Sequence, residues 1–225
     1  MKVSVVIPTL NEASVLERTL TQVRDLSPHE VVVADGGSCD DTLEISRRLA
    51  THTVSSARGR ALQMNAGAQK STGDLLLFLH ADSRLEARSY QNMLQAMENK
   101  SLQGGAFGLK IDSDQPALKL ISTLATLRSK HLSLVYGDQA IFVRREVFHQ
   151  LTGFSPLPIC EDLDFYRRMR RHGPVVLLEK KVLTSPRRWH AEGVGFTTLR
   201  NIAIAALFLV GFSPKTLSKW YGIIR

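Results

Sequence analysis

The chain has few cysteines and no hydrophobic run long enough to cross a bilayer. Its 225 residues include only Cys39 and Cys160, which lie far apart without a CxxC spacing, so a metal or redox motif of that kind is excluded. The apolar run at 202–212 is eleven residues long, whereas a membrane-spanning helix needs about 20. One lysine and a short apolar run precede Pro8, so no signal peptide is predicted. We therefore expect a cytoplasmic protein.

Basic residues exceed acidic ones. Lysine and arginine number 29 against 21 aspartates and glutamates, which gives a formal net charge of +8. Such an excess attracts anions, and nucleic acid, an anionic membrane surface and phosphorylated small molecules all qualify. The signature GxxxxGK[ST] is absent, which excludes an ordinary P-loop nucleotide site.

Short apolar runs alternate with helical patterns in the first part of the chain. The runs at 3–7, 30–35, 51–55 and 75–79 are predicted strands, and each of the first three leads into a helical pattern. Such βα units predict an α/β fold, a single domain with a Rossmann-like, mostly parallel, twisted sheet and helices on both faces. Pro8 is expected to end the first strand.

The rest of the chain predicts a more mixed order of elements. In sequence we expect a strand at 104–111, a helix at 116–134, a turn and strand at 136–143, a helix from 161, a strand at 175–178 and a basic, aromatic loop at 185–193.

Polar residues follow the carboxyl ends of three predicted strands. Glu12 lies beyond the first strand, Asp35 ends the second, and His80 and Asp82 follow the fourth. Open α/β sheets bind ligands at this edge, so these positions are candidates for contact with a nucleotide-sized ligand. Two alternatives stay open. Asn11 and Glu12 can serve as cap and first turn of a helix, and the last two residues can belong to an ordinary polar loop.

Two further groups of charges have equally open interpretations. Arg58 and Arg60 flank a glycine at a helix start, which suits either an anion site or a solvated charge pair. Glu161 and Asp162 lie in the first turn of a helix, where carboxylates favour the helix dipole and where Asp162 could do more.

The C-terminal segment differs in composition from the body of the chain. The apolar run at 202–212 is followed by aromatic and basic residues up to Arg225. A buried helix and an interfacial membrane segment both fit this pattern, which makes 202–225 a candidate for peripheral membrane contact.

Five short segments carry a family resemblance. They are SVVIPTLNE at 4–12, DGGSxDxT at 35–42, GD at 73–74 with FLHAD at 78–82, GDQ at 137–139 and ED at 161–162. In order and spacing they resemble a family 2 glycosyltransferase of GT-A fold. Together with the RGR and RRW triplets, they are similar to a small bacterial subgroup labelled arsenosugar-biosynthesis glycosyltransferases.

The resemblance implies a metal-dependent, inverting glycosyltransferase that moves a sugar from a nucleotide-sugar to an acceptor hydroxyl or phosphate. Asp82 would bind Mg²⁺ or Mn²⁺, and Asp162 would be the catalytic base. Asp138 and Glu161 would position the acceptor. The residues expected to bind the sugar donor are Pro8, Thr9, Glu12, Asp35, Gly37, Arg58, His80, Arg188 and His190.

The resemblance also divides the chain and leaves one position open. Residues 1–110 would form a donor half, 111–195 an acceptor half, and 196–225 an apolar and basic helical tail. The family's metal motif is Asp-x-Asp, but His80 stands in its first position, so the role of that residue is open. The acceptor would be lipid-linked or a small molecule, and the protein would associate with the inner face of the membrane in the first case.

Two alternatives compete with this function. A sugar nucleotidyltransferase also combines a Rossmann-like sheet with metal-bound phosphates, but releases pyrophosphate. A non-enzymatic basic module binding a membrane or nucleic acid would account for the charge, although no nucleic-acid motif occurs and we expect no nucleic-acid partner.

Overall fold

The computed structural model describes residues 1–221, which form eight strands in one sheet, ten α-helices and two short 3₁₀ turns. The strands are β1 (Val3–Thr9), β2 (Glu30–Asp35), β3 (His52–Ser55), β4 (Leu75–Phe78), β5 (Ser83–Leu85), β6 (Gly104–Ile111), β7 (Phe142–Arg144) and β8 (Val175–Thr184). The helices are α1 (Ala13–Asp25), α2 (Thr42–Leu49), α3 (Arg60–Lys70), α4 (Ala87–Ala96), α5 (Pro116–Leu132), α6 (Arg145–Gln150), α7 (Glu161–His172), α8 (Arg187–Glu192), α9 (Val194–Leu209) and α10 (Pro214–Leu217). The 3₁₀ turns are Gly137–Gln139 and Ser218–Trp220.

The sheet order is β3-β2-β1-β4-β7-β6-β8-β5. The first four strands are parallel, as the three predicted βα units require, and β6 pairs with β8 in parallel as well. Strands β7 and β5 run antiparallel to their neighbours. The predicted α/β fold is therefore confirmed, and the carboxyl ends of β1, β2 and β4 meet at one edge.

Helices cover both faces of the sheet because β1 and β4 are apolar on both sides. Val5 and Ile7 of β1 pack in a cluster with residues of α1 and α4, while Val6 packs in a second cluster with residues of α3, α6 and α7. Complete burial of one such side chain contributes about 1.5–3 kcal/mol to stability. The unbroken apolar run of β4, which reads as a strand buried on both faces, is fully buried.

The first strand and helix do not begin and end where the sequence predicts. Strand β1 continues through Pro8, because β4 pairs only up to Val6 and the proline therefore removes no ladder hydrogen bond on that side. Asn11 does not cap α1. It adopts a left-handed conformation with φ 54°, and its side-chain oxygen accepts a hydrogen bond from the backbone N–H of Cys39.

Several elements in the second half differ from prediction. Strand β8 extends to Thr184, because its second half pairs with both β6 and β5 after a register shift at Phe107/Gly108. The predicted loop at 185–193 contains helix α8, which follows Pro186 and buries Trp189. Neither β5 nor α6 is predicted, since each is too short to show a period in the sequence.

The C-terminal segment is neither wholly buried nor wholly exposed. Helix α9 buries Ile204 and Ala205 against the start of α7 but leaves Ile202 at the surface, where Val210, just after the helix, also lies. Within residues 1–221, no helix has both the length and the apolar character needed to cross a membrane. The predicted membrane-surface residues after Tyr221 lie outside the described part of the chain.

Candidate active site

A cavity of about 460 Å³ lies at the carboxyl ends of β1 and β4. The sheet edge supplies Pro8 and Thr9, and the turn after β4 supplies its polar residues from the opposite side. The 3₁₀ turn at Gly137–Gln139 and the start of α7 form a further wall. Helices α8 and α9 complete the enclosure, so residues from both halves of the chain meet here.

Most of the residues predicted for the site line this cavity. The predicted residues in its wall are Pro8, Thr9, Glu12, Arg58, His80, Asp82, Asp138, Asp162 and Arg188. The four predicted residues outside the wall are Asp35, Gly37, Glu161 and His190. The predicted ends of β1 and β4 therefore meet at this cavity, although not every predicted side chain reaches it.

Asp35 organises its own loop instead of facing the cavity. Its side chain is buried, and one carboxylate oxygen accepts hydrogen bonds of 2.9 Å from the backbone N–H groups of Gly37 and Ser38. The hydroxyls of Thr9 and Ser38 donate to the other oxygen. Gly37 is exposed with φ 90°, a conformation that favours glycine. In this structure the carboxylate of Asp35 therefore holds its own loop.

Glu161 and His190 are displaced from the cavity for different reasons. Glu161 is 2% exposed and pairs with Arg60, with 2.7 Å between Nε and Oε1. Its second oxygen is buried without a partner among the described residues. Helix α8 turns His190 outward to solvent, whereas Arg187 and Arg188, one turn earlier, face the cavity.

Arg187 was not predicted for the site, yet it lines the cavity and joins two residues that were. Its two terminal nitrogens donate to the carboxylate oxygens of Glu12 at 2.8 and 2.9 Å. Its Nε lies 2.9 Å from Oδ2 of Asp82. One guanidinium therefore links the residue beyond β1 to the residue beyond β4. In the sequence, only its place beside Arg188 in the RRW triplet pointed to this residue. Its pairing with Glu12 could not be predicted, because the two residues are 175 positions apart.

Position 80 holds a neutral imidazole. Burial lowers the pKa of His80 to about 4, and the positive charges of Arg60 and Arg187 act in the same direction against the opposing effect of Asp162. The imidazole carries no charge at neutral pH, so a ring nitrogen can accept a hydrogen bond or bind a metal. A Cβ added to Gly137 would lie 2.8 Å from Nε2 of His80, so this close approach requires glycine.

Two carboxylates face the opposite wall. Asp162 is fixed by its backbone surroundings, because the N–H of Gly137 donates to Oδ2 and the N–H of Leu163 donates to Oδ1 at 2.7 Å. Asp138 has a buried Oδ1 that lacks a hydrogen-bond partner within residues 1–221. Burial raises the pKa of Asp138 to about 6, with Arg128 opposing and Asp162 adding to the increase.

The neighbouring residue Gln139 holds the turn that carries Asp138. Its side-chain nitrogen donates to the carbonyl of Phe107 at 2.9 Å, and its oxygen accepts from the hydroxyl of Ser129 at 2.7 Å. Gln139 is fully buried. The last residue of the GDQ segment therefore anchors the turn, and the aspartate projects from it.

The protein side chains available as metal ligands fit a hard divalent cation that takes most of its ligands from a bound molecule. Asp82 supplies a carboxylate at the cavity wall, and oxygen ligands of this kind suit Mg²⁺ and Mn²⁺. The described residues contain no group of three or more His, Cys, Asp or Glu side chains arranged to hold a metal. Phosphate oxygens and water would therefore have to complete the coordination.

Comparisons with known proteins agree on one class of protein. The family model Glycosyl transferase family 2 matches residues 4–152. A PGL/p-HBAD biosynthesis glycosyltransferase of Mycobacterium tuberculosis is 39% identical over 36% of this chain and 36% of its own length. The matching segment thus spans about a third of that relative.

Solved structures show the same fold at low sequence identity. The S. aureus TarS 1-349 structure is 17% identical with a TM-score of 0.66, and the match covers 92% of this chain and 66% of that chain. A mannosyltransferase from Pyrobaculum calidifontis, solved with GDP-Man and Mn²⁺, is 21% identical with a TM-score of 0.65. That match covers 82% of this chain and 56% of that chain.

Proposed function

The chain belongs to glycosyl transferase family 2, and we propose that it transfers a sugar from a nucleotide-sugar to an acceptor hydroxyl or phosphate with inversion at the anomeric carbon. The observation that carries this proposal is the cavity in which Asp82, Asp162 and several arginines face one another across the carboxyl edge of the sheet. An electrophile with a diphosphate leaving group needs cations on one side and a base on the other.

The sugar donor would lie along the ends of β1 and β4. Pro8 and Thr9 would contact the nucleoside, and Glu12 would add a carboxylate acceptor for a nucleoside N–H or hydroxyl. Arg58 and Arg188 line the same cavity and would bind phosphate oxygens, for which guanidinium groups are well matched.

Asp82 would hold Mg²⁺ or Mn²⁺ together with the diphosphate. When bound, the cation supplies neutralisation of the charge that develops on the leaving diphosphate. The presence of Mn²⁺ in the Pyrobaculum calidifontis structure supports this proposal. His80, which is neutral and lies two residues before Asp82, would contribute a ring nitrogen and no charge.

Asp162 would remove the proton from the acceptor hydroxyl. Both of its oxygens accept backbone hydrogen bonds, which fixes the carboxylate while leaving lone pairs for the acceptor. The acceptor oxygen would then attack the anomeric carbon on the side opposite the diphosphate, so the configuration inverts. Asp138 would bind the acceptor directly, whereas Glu161 would act through Arg60, which it pairs with.

Binding of the sugar donor and of the acceptor would be divided between two parts of the chain. Residues 1–110 would form the donor half and 111–195 the acceptor half, with the C-terminal segment closing the site. We propose a lipid-linked or small-molecule acceptor, and peripheral contact of the segment from 202 with the inner face of a membrane. The exposed apolar residues of α9 support that contact.

The proposal is tested by thermal-shift measurements with UDP-, GDP- and dTDP-sugars in the presence of Mg²⁺ or Mn²⁺. A ligand that binds the native state raises the apparent melting temperature, so one nucleotide should give a metal-dependent increase. Asp82→Asn should abolish the metal dependence. Asp25→Asn, an exposed aspartate at the end of α1, is the matched control and should respond like the unaltered protein.

The reaction product separates the proposed activity from its rival. Release of a nucleoside diphosphate supports glycosyl transfer, whereas release of pyrophosphate would identify a nucleotidyltransferase. Full turnover in the presence of a chelator would contradict the role given to Asp82.

A further inference from the structure

A second cavity, of about 510 Å³, lies away from the first one where α5 and α9 end beside α7. Three arginines and three leucines line it together with one serine. The arginines are Arg167, Arg170 and Arg171, and the leucines are Leu132, Leu134 and Leu209. We call it the arginine cavity. Its lining combines cationic forks with branched apolar side chains, which is a composition suited to an amphiphilic anion.

The three arginines carry charge that the described protein does not neutralise. Within residues 1–221 none of them forms an ion pair with a carboxylate. Arg168, in the middle of the same run, behaves differently: its Nε lies 2.8 Å from Oδ2 of Asp164, and it donates to backbone carbonyls as well. Arg168 therefore has partners within the protein, whereas the other three arginines line the same cavity.

Helix α9 leaves large apolar residues exposed on its outer face, although it also buries Ile204 and Ala205. Its exposed face carries large apolar residues three or four positions apart, including Leu199 at 70% and Ile202 at 55% exposure. Its buried face includes Thr197 and Arg200. A helix that faces water ordinarily places its polar residues outward, so this surface of α9 is suited to an apolar environment.

Helix α5 also leaves large apolar residues exposed, although it buries Leu118 and Ala125. Leu124 is 53% exposed and Leu132 is 62% exposed, while Ser122 and Ser129 are buried and bond to backbone carbonyls one turn earlier. The two helices contact each other, and their C-terminal ends meet at the arginine cavity.

We propose that the arginine cavity and its leucine rim bind the head groups of anionic phospholipids and dock the protein on a membrane surface. The arginine forks would bind lipid phosphates, and the leucines would enter the interface between head groups and acyl chains. The negative potential of a leaflet that contains such lipids attracts a basic cluster of this kind. The same chain has a formal net charge of +8, which adds a long-range attraction.

Other occupants fit the observations less well. In a twofold dimer through this surface, the three arginines of one copy would lie near the same arginines of the other, and their like charges would repel. Nucleic acid would use the arginines but would leave exposed leucines such as Leu124 and Leu132 without a favourable partner. A lipid interface uses both the charge and the apolar surface.

Docking at this surface would also orient the proposed active site. Helix α9 contributes Asn201, Ile204 and Ala205 to the first cavity and Leu209 to the arginine cavity. A lipid-linked acceptor would therefore approach along a helix that already contacts the membrane. This inference deepens the membrane contact proposed above, and vesicle binding tests it independently of glycosyl transfer.

Vesicle co-sedimentation, with neither sugar donor nor acceptor present, measures the docking directly. The full chain should bind phosphatidylcholine vesicles containing phosphatidylglycerol and should bind pure phosphatidylcholine vesicles far less. The triple variant Arg167→Gln/Arg170→Gln/Arg171→Gln should lower the partition coefficient for the anionic vesicles by about 100-fold. At raised salt, which screens the arginine charges, the remaining vesicle binding should depend on apolar contacts. The variant Leu132→Gln/Leu209→Gln should therefore weaken it.

A matched control removes the same charge elsewhere. Arg18→Gln/Arg24→Gln/Arg47→Gln changes three exposed arginines of α1 and α2 and should retain most of the binding. Equal losses in both triple variants would reduce the effect to net charge and overturn the proposal, as would unchanged binding in the arginine-cavity variant. If inorganic phosphate at the same concentration as the anionic lipid displaces the protein from the vesicles, the cavity is a site for free phosphate, and the proposal is overturned as well. Circular dichroism checks that each variant is folded.

Discussion

Arg187 lies against Asp82, with 2.9 Å between the guanidinium Nε and the carboxylate Oδ2. The same side chain makes a two-pronged contact with Glu12 on the far side. Both carboxylates are only 13% exposed, so each is held beside a positive charge in a largely dry wall of the cavity. A phosphate group entering the cavity would meet a guanidinium already oriented by two carboxylates.

Replacing Arg187 should weaken binding of the sugar donor. Arg187→Ala leaves Glu12 and Asp82 without their shared cation and removes a candidate phosphate ligand. We expect the KM for the nucleotide-sugar to rise by about 10- to 100-fold, since a charge-assisted hydrogen bond contributes about 1.5–3 kcal/mol. Steady-state kinetics measure the change. Arg88→Ala, at an exposed position of α4, should leave KM unaltered, and equal effects at both positions would contradict the assignment.

Replacing Asp162 should affect the chemical step rather than binding. Asp162→Asn retains the shape of the side chain but removes the base, so kcat should fall by about 10²- to 10⁴-fold. The affinity for the nucleotide should change little, because the proposed base contacts the acceptor. Parallel measurement of kcat and of nucleotide binding by calorimetry separates the two effects. A variant that loses nucleotide affinity in proportion to kcat would place Asp162 in donor binding instead.

Asp138 should make the folding stability depend on pH. Burial raises the pKa of Asp138 to about 6 in the folded state, so the folded protein binds a proton more tightly there than the unfolded chain does. The free energy of unfolding should therefore fall as pH rises from about 4 to about 6. Asp138→Asn removes this penalty and should stabilise the protein by about 2–3 kcal/mol near neutral pH.

Denaturant unfolding across this pH range measures the effect of Asp138→Asn. Asp25→Asn, at an exposed position, should reproduce the pH profile of the unaltered protein. If Asp138 binds the acceptor, the stabilised variant should show a raised acceptor KM. If Asp138→Asn and the unaltered protein show the same change in stability between low and neutral pH, Asp138 is not a buried, proton-binding group.

The Arg60–Glu161 pair joins a buried carboxylate to a guanidinium that is 38% exposed, and its loss should destabilise the protein. Arg60→Met strands the carboxylate of Glu161, which is 2% exposed, and should cost about 3 kcal/mol of stability near neutral pH. Burial already raises the pKa of Glu161, and loss of the arginine raises it further. The loss of stability caused by Arg60→Met should therefore become smaller as pH falls, because the carboxyl group is then protonated in both the folded and the unfolded protein.

A double-mutant cycle tests this coupling. Arg60→Met/Glu161→Leu should recover much of the stability lost in Arg60→Met, because no uncompensated charge remains. Arg47→Met, at an exposed position of α2, is the control for loss of an arginine. Additive effects of the two single changes would show that the residues do not stabilise each other.

The sequence determined the order of the elements and the edge at which the site lies. Alternating apolar runs and helical periods are local properties of the chain, so three βα units and a buried fourth strand could be predicted before any contact was known. The polar residues at 9–12 and 80–82 mark strand ends, and parallel strands bring such ends to one edge. That rule accounts for the residues near the ends of β1 and β4, whereas Asp138, Asp162 and Arg188 were expected from the family resemblance.

Tertiary structure decided which side chains at that edge face the cavity. Asp35 and Asp82 both follow apolar strands, yet one is surrounded by hydrogen-bond donors of its own loop and the other is met by Arg187. Arg187 and Glu12 are 175 positions apart, and no local period encodes such a pair.

The outward apolar faces of α5 and α9 were hidden for the same reason. A helical period shows that a helix has two faces, but only packing decides which face is covered, and here the described core accepts Ser122 and Thr197 while leaving Leu124 and Leu199 outside. Local patterns fix secondary structure because they depend on neighbouring residues. Site geometry and surface function depend on residues that meet only when the chain folds.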